Sequence, residues 1–136
     1  MKIYLAARLS LWPQMNQAAA FLERHGHAVT SRWQRRHALE PPVPRTEGSN
    51  PLLARFAAED LEDVDHADAV VLFTESGKHF AGGRHVEAGY ALGRGKRLIV
   101  FGPRENVFYH LPQVEQAANW DELVRILAKL SLADSA

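Results

Sequence analysis

The stretch Ala67–Gly102, read as ADAVVLFTESGKHFAGGRHVEAGYALGRGKRLIVFG, constrains the fold more than any other part of the chain. It contains two short apolar runs, Ala69–Phe73 and Leu98–Phe101. Between them lie a glycine-containing loop and a helix-like segment, His85 to Gly93. Two buried strands running in the same direction need a crossover of a dozen or more residues, usually a helix, so the stretch predicts a βαβ unit. Glu87 stands in the first turn or two of that helix, directly after Gly82-Gly83. The positive end of the helix dipole predicts that this carboxylate stays ionised at neutral pH. Open α/β sheets bind ligands where strands end and helices begin, which makes Glu87 a candidate nucleophile.

The same alternation runs through the rest of the chain. Lys2–Ala7 reads as a buried strand, Met15–His25 as a helix closed by Gly26, and His27–Trp33 as a second strand. A polar, proline-rich tract follows from His37 to Pro51, and a loop of that length in a compact domain is commonly a lid, a binding loop or disordered. Leu52 to about His66 suits a helix, with Asn50 as N-cap and Pro51 at its first position. After the βαβ unit comes a loop, Gly102–Asn106, then a short last strand near Gln113–Ala117 and an amphipathic helix, Trp120–Leu130. There is no internal repeat. The pattern predicts one domain over residues 1–136, a three-layer α/β/α, flavodoxin-like doubly wound sheet of about five parallel strands in the order 2-1-3-4-5.

Composition narrows the partners. The chain of 136 residues is long enough to bury a core of its own. Sixteen basic and sixteen acidic residues leave no net charge to attract nucleic acid or an anionic membrane. The lack of cysteine removes disulfides, thiol nucleophiles and thiolate metal sites, and favours a cytoplasmic address. The opening MKIYLAARLSLWP is broken by Arg8 and Pro13, too early for a signal peptide or a membrane span. The seven histidines show no H-x-x-x-H or H-E-x-x-H spacing, so no metal site is expected. Neither a P-loop nor a G-x-G-x-x-G turn follows the first strand, which disfavours triphosphate hydrolysis and ordinary dehydrogenase chemistry and calls for no cofactor.

Three segments carry a resemblance. KIYLAA at the start, Asp60-Leu61-x-Asp63-Val64-x-x-Ala67-Asp68 before a strand, and GGRHVEAGYALGRGKRLIVFG together resemble the nucleoside 2-deoxyribosyltransferase family, whose relatives include nucleotide N-glycosidases. The likeness runs from Lys2 to about Asn106. It implies that Glu87 attacks C1′ of a nucleoside sugar and expels the base, and that water or a second base resolves the glycosyl-enzyme. It also implies that Tyr4 orients Glu87, that Asp60 helps hold the nucleoside, and that the chain forms a homodimer or higher homo-oligomer. Asn106 would then reach into a neighbour's pocket. The chemistry agrees: cleavage passes through an oxocarbenium-like state that a carboxylate below C1′ stabilises and then captures. Tyr4, at the end of the first strand, is placed to fix the carboxylate rotamer. Each residue also has a plainer reading: a solvated helix acid for Glu87, strand packing for Tyr4, an acidic helix face for Asp60 and a turn for Asn106.

One position departs from the family. Its transferases commonly carry an aspartate six residues before the nucleophile, and its hydrolases a serine, whereas this chain has Ala81. His79 or His85 is then the candidate to protonate a leaving base. For substrate binding, Arg8 and Ser10 follow the first strand, while Gly82, Gly83 and Arg84 open the Glu87 helix, both suited to a 5′-phosphate. Trp33 suits stacking on a base or packing at a strand end. The short basic run Arg32-x-x-Arg35-Arg36-His37 suits a solvated loop or a phosphate clamp. The function expected is cleavage or transfer of the N-glycosidic bond of a small nucleoside or nucleotide. The alternatives are a catalytically silent nucleotide-binding domain, which Ala81 favours, and an NAD glycohydrolase.

Overall fold

The computed structural model describes residues 1–40, 43–44, 46–76 and 82–135. Five parallel strands form one sheet in the order β2-β1-β3-β4-β5, as the alternation predicts. They are β1 (Lys2–Ala6), β2 (Ala28–Val29), β3 (Ala69–Phe73), β4 (Arg97–Phe101) and β5 (Val114–Ala117). The helices are α1 (Trp12–Arg24), α2 (Trp33–Leu39), α3 (Pro51–Asp65), α4 (Gly83–Gly93) and α5 (Trp120–Ser135). Single 3-10 turns cover Leu9–Leu11 and Val107–His110.

The middle strands β1, β3 and β4 are almost wholly buried, which is why they read as continuous apolar runs without alternation. Side chains still alternate between the two faces. Tyr4 and its register partner Val70 share the face covered by α4, against which α3 packs. Phe73 and Phe101 pack on the other face against Trp120 of α5, which also meets Phe21 of α1.

The second strand is shorter than His27–Trp33, and the reason is local. β2 pairs with β1 only through Lys2↔Ala28 and Ile3↔Val29, extended by Thr30 N–H donating to the Ile3 carbonyl at 2.8 Å. The next edge groups of β1 are then taken by side chains. The Leu5 N–H donates to Ser31 Oγ at 3.2 Å, and the Leu5 carbonyl accepts from Trp33 Nε1 at 2.7 Å. With both satisfied, the chain leaves the sheet and Trp33 opens α2 instead of ending a strand. The same helix takes the front of the proline-rich tract, up to Leu39. Further on, Asn50 caps α3 as expected, accepting from Leu52 N–H at 3.0 Å and Leu53 N–H at 3.2 Å, with Pro51 at the first position. Helix α4 begins two residues before the expected start, after Gly82 in the left-handed region (φ +87°).

Candidate active site

The strand order reverses between β1 and β3, so the segments leaving their carboxyl ends diverge and open a crevice, the usual ligand position in open α/β sheets. A cavity of about 390 Å³ lies there. It is lined by Ala7, Arg8, Leu9 and Ser10 after β1, by Trp33 and Arg36 of α2, by Asp60 of α3, and by Gly82, Gly83, Arg84 and Glu87 at the start of α4. Eight of these were candidates from sequence: Arg8, Ser10, Trp33, Asp60, Gly82, Gly83, Arg84 and Glu87.

Tyr4 is fully buried beside this cavity, and its hydroxyl donates a hydrogen bond to Glu87 Oε2. Strand β1 carries the tyrosine and α4 the acid, so the pair is closed by packing across 83 positions of sequence. Burial pushes the Glu87 carboxyl up to about 8, so it carries a proton at neutral pH. The expectation of an ionised carboxylate is therefore corrected. Glu87 sits in the second turn of α4, where the dipole has faded, and desolvation outweighs it. The hydrogen bond from Tyr4 works the opposite way, because it favours the ionised form.

Asp60 is also raised, to about 6. Burial is the largest cause, the Arg36 guanidinium opposes it by charge and hydrogen bond, and Asp63 and Glu59 add a smaller upward push. The two carboxyls that share the cavity thus titrate apart. Arg36 Nη2 lies 3.4 Å from Asp60 Oδ1, and Nη1 donates to Glu59 Oε2 at 2.9 Å.

The other two arginines each face an acid. Arg8 Nε donates to Glu75 Oε1 at 2.8 Å, and buried Arg84 donates from Nη2 to Glu105 Oε2 at 3.0 Å. Glu105 also accepts from the Glu75 N–H at 2.8 Å and lies 3.2 Å from His85 Nε2. One side chain of the β4–β5 connection thereby holds the end of β3 and the start of α4 together. The sequence carries no signal for it, because its partners stand 20 to 30 positions away. Arg36 was visible only as part of a basic run.

Four candidates fall differently. His85 turns its ring from the cavity to Glu105 and to the Tyr109 hydroxyl, 2.5 Å from Nδ1, and burial and then Arg84 hold it below its usual value. It is not placed to protonate a group in the cavity. Asn106 accepts from Phe108 N–H at 3.0 Å as the cap of a 3-10 turn and does not line the cavity of its own chain. His79 and Ala81 lie outside the described residues. Trp33 is almost fully buried, with its ring nitrogen fixed to β1 and the residue itself in the cavity wall. Among the described residues, no three His, Asp or Glu side chains cluster to hold a metal ion, and no helix is long and apolar enough to cross a membrane.

A 2-deoxyribosyltransferase from Bacillus psychrosaccharolyticus superimposes with a TM-score of 0.68 over 91% of this chain and 90% of its own, at 21% identity. The fold is that of a 2-deoxyribosyltransferase. The Clostridium botulinum CMP N-glycosidase BcmB shares the fold with a TM-score of 0.57, over 95% of this chain and 99% of its own, at 17% identity. No protein-family profile and no curated protein sequence matches the chain. The deoxyribosyltransferase fold thus emerges from tertiary structure where whole-sequence comparison is silent.

Proposed function

We propose that this protein cleaves or transfers the N-glycosidic bond of a (deoxy)nucleoside or nucleoside 5′-monophosphate, with Glu87 as nucleophile. The observation that carries the reading is the Tyr4–Glu87 hydrogen bond beside a cavity at the strand reversal. That two structural neighbours are a 2-deoxyribosyltransferase and a CMP N-glycosidase supports it. Glu87 first loses its proton. One oxygen then bonds to C1′ as the C1′–N bond breaks, and the base departs with the bonding pair and takes up a proton. Water or a second base attacks C1′ and releases the glutamate. Tyr4 fixes the carboxylate rotamer, and Asp60 accepts a hydrogen bond that orients the nucleoside. The chemistry as written asks for no cofactor.

Arg8, Ser10, Arg84 and the backbone N–H groups opening α4 form the end of the cavity that suits a 5′-phosphate. Their pairing with Glu75 and Glu105 orients the arginines but offsets their charge. This favours a modest preference for the nucleotide over the nucleoside.

The test is incubation with a panel of nucleosides, deoxynucleotides and NAD, following free base by chromatography, with and without an acceptor base. Glu87→Ala and Glu87→Gln should each lower base release by several orders of magnitude and keep the fold. Tyr4→Phe should be milder, since it removes an orienting bond and not the attacking group. A Glu87→Ala protein with most of its activity would remove the assignment. Release of nicotinamide alone would establish the NAD glycohydrolase instead.

A further inference from the structure

Three arginines radiate from the start of α2, each to a different acid. Arg32 Nε lies 3.0 Å from Asp63, Arg35 Nη2 lies 3.1 Å from Glu23, and Arg36 reaches both Glu59 and Asp60. The first two side chains are about half exposed and do not line the cavity. Arg36 is different. Its side chain is 17% exposed and its guanidinium sits 4.0 Å from the centre of the Phe56 ring. An aromatic face on one side and two carboxylates at the edge leave the planar fork little freedom. A tether between α2 and α3 would need Glu59 alone, yet the second arm ends on the cavity carboxylate.

We propose that Arg36 is a positioning residue for Asp60, holding that carboxylate ionised and in place at the cavity wall where a nucleoside is oriented. What Asp60 does for a nucleoside rests on the glycosidase reading, whereas the coupling of Arg36 to Asp60 does not. The surroundings of Asp60 show why the arginine matters. Burial opposes its charge, and Glu59 and Asp63 of its own helix add to that opposition. Asp63 is engaged by Arg32. From other elements, Glu87 and Arg84 of α4 and Arg8 after β1 line the same cavity. Arg36 is a cation hydrogen-bonded to Asp60, and it opposes all three upward causes. Without it, Asp60 would titrate above its present range, and a protonated Asp60 loses acceptor capacity at neutral pH.

The experiment is a carboxyl-carbon NMR titration of Asp60 in the unliganded wild type, Arg36→Gln and Arg36→Lys proteins, paired with kcat and KM across pH on the best nucleoside substrate. Arg36→Gln should raise the Asp60 midpoint by about one pH unit or more. Arg36→Lys keeps the charge but not the fork, and its midpoint should fall between the other two. KM for Arg36→Gln should rise roughly tenfold at acid to neutral pH, with kcat changed less. The defect should close towards wild type at alkaline pH, where Asp60 ionises unaided. An unchanged Asp60 midpoint, or a defect of constant size across pH, would overturn the proposal and leave Arg36 as a tether. If Arg36→Gln fails to fold, the Lys variant decides, and a midpoint equal to wild type refutes the coupling. A shifted midpoint in a protein that releases base from no nucleoside supports the coupling and removes the glycosidase reading.

Discussion

Glu87 meets Tyr4 across the sheet face, and the environment that makes this contact also withholds the charge that a nucleophilic carboxylate would need. For the free enzyme, kcat/KM reports the protonation state of its essential groups. If Glu87 is the nucleophile we propose, it must be ionised to attack, and kcat/KM is expected to climb as pH rises and to level off above about 8. A flat profile between pH 6 and 9 would mean that the nucleophile lies elsewhere. Stability should move the other way. The folded protein holds a proton on Glu87 that the unfolded chain gives up near the usual carboxylate range, so folding loses stability as pH rises towards about 8. Glu87→Gln removes that ionisation, and its melting temperature should exceed that of wild type at pH 8.5 and approach it at pH 5.

At the scale of elements, the start of α4 decides where Glu87 and Arg84 point. Gly82 precedes it at φ +87°, a conformation that side chains resist. Gly82→Ala is expected to cost about 1–2 kcal/mol in urea unfolding and to lower activity by disturbing the helix start. Gly102, at the end of β4, is more constrained. A Cβ there, at φ +126°, would come within 2.6 Å of both the carbonyl and the hydroxyl oxygen of Thr74. The hydroxyl meanwhile donates to the Pro103 carbonyl at 2.6 Å. Strain and clash act together, so Gly102→Ala should cost about 3 kcal/mol or more. Equal stability of the two variants would contradict this ordering. The helix that carries Asp60 has its own start fixed by Asn50, and Asn50→Ala should lose about 1 kcal/mol without moving Glu87.

Across the whole molecule, the cavity gathers residues from four separate stretches: 7–10, 33–36, 60 and 82–87. The parallel order makes this possible, since every strand delivers its following segment to the same edge. If the arginine end grips a 5′-phosphate, Arg8→Ala and Arg84→Ala should each raise KM for a nucleoside monophosphate about tenfold and change the nucleoside little. That lies at the low end for charge-assisted contacts, because Glu75 and Glu105 already oppose them. Equal turnover of nucleoside and monophosphate by the unmutated protein would assign these arginines to the scaffold.

The strands β1, β3 and β4, the helix carrying Glu87 and the Asn50 cap were legible in the sequence, because each is a local pattern of apolar runs, turn residues and capping side chains over adjacent positions. The sheet order followed from alternation and crossover handedness. The resemblance carried in KIYLAA and the Glu87 segment anticipated the deoxyribosyltransferase fold. What the sequence could not determine depends on groups that meet only after folding. Trp33 looked like the end of a strand, yet Ser31 and Trp33 satisfy Leu5 and turn the chain into a helix. Glu105 carried no signal and Arg36 stood only in a short basic run, yet each bridges separate elements at the cavity. The helix dipole spoke for an ionised Glu87, a short-range argument from sequence. Burial, which only tertiary packing sets, reversed it, because desolvating a carboxylate outweighs a dipole that fades within one turn.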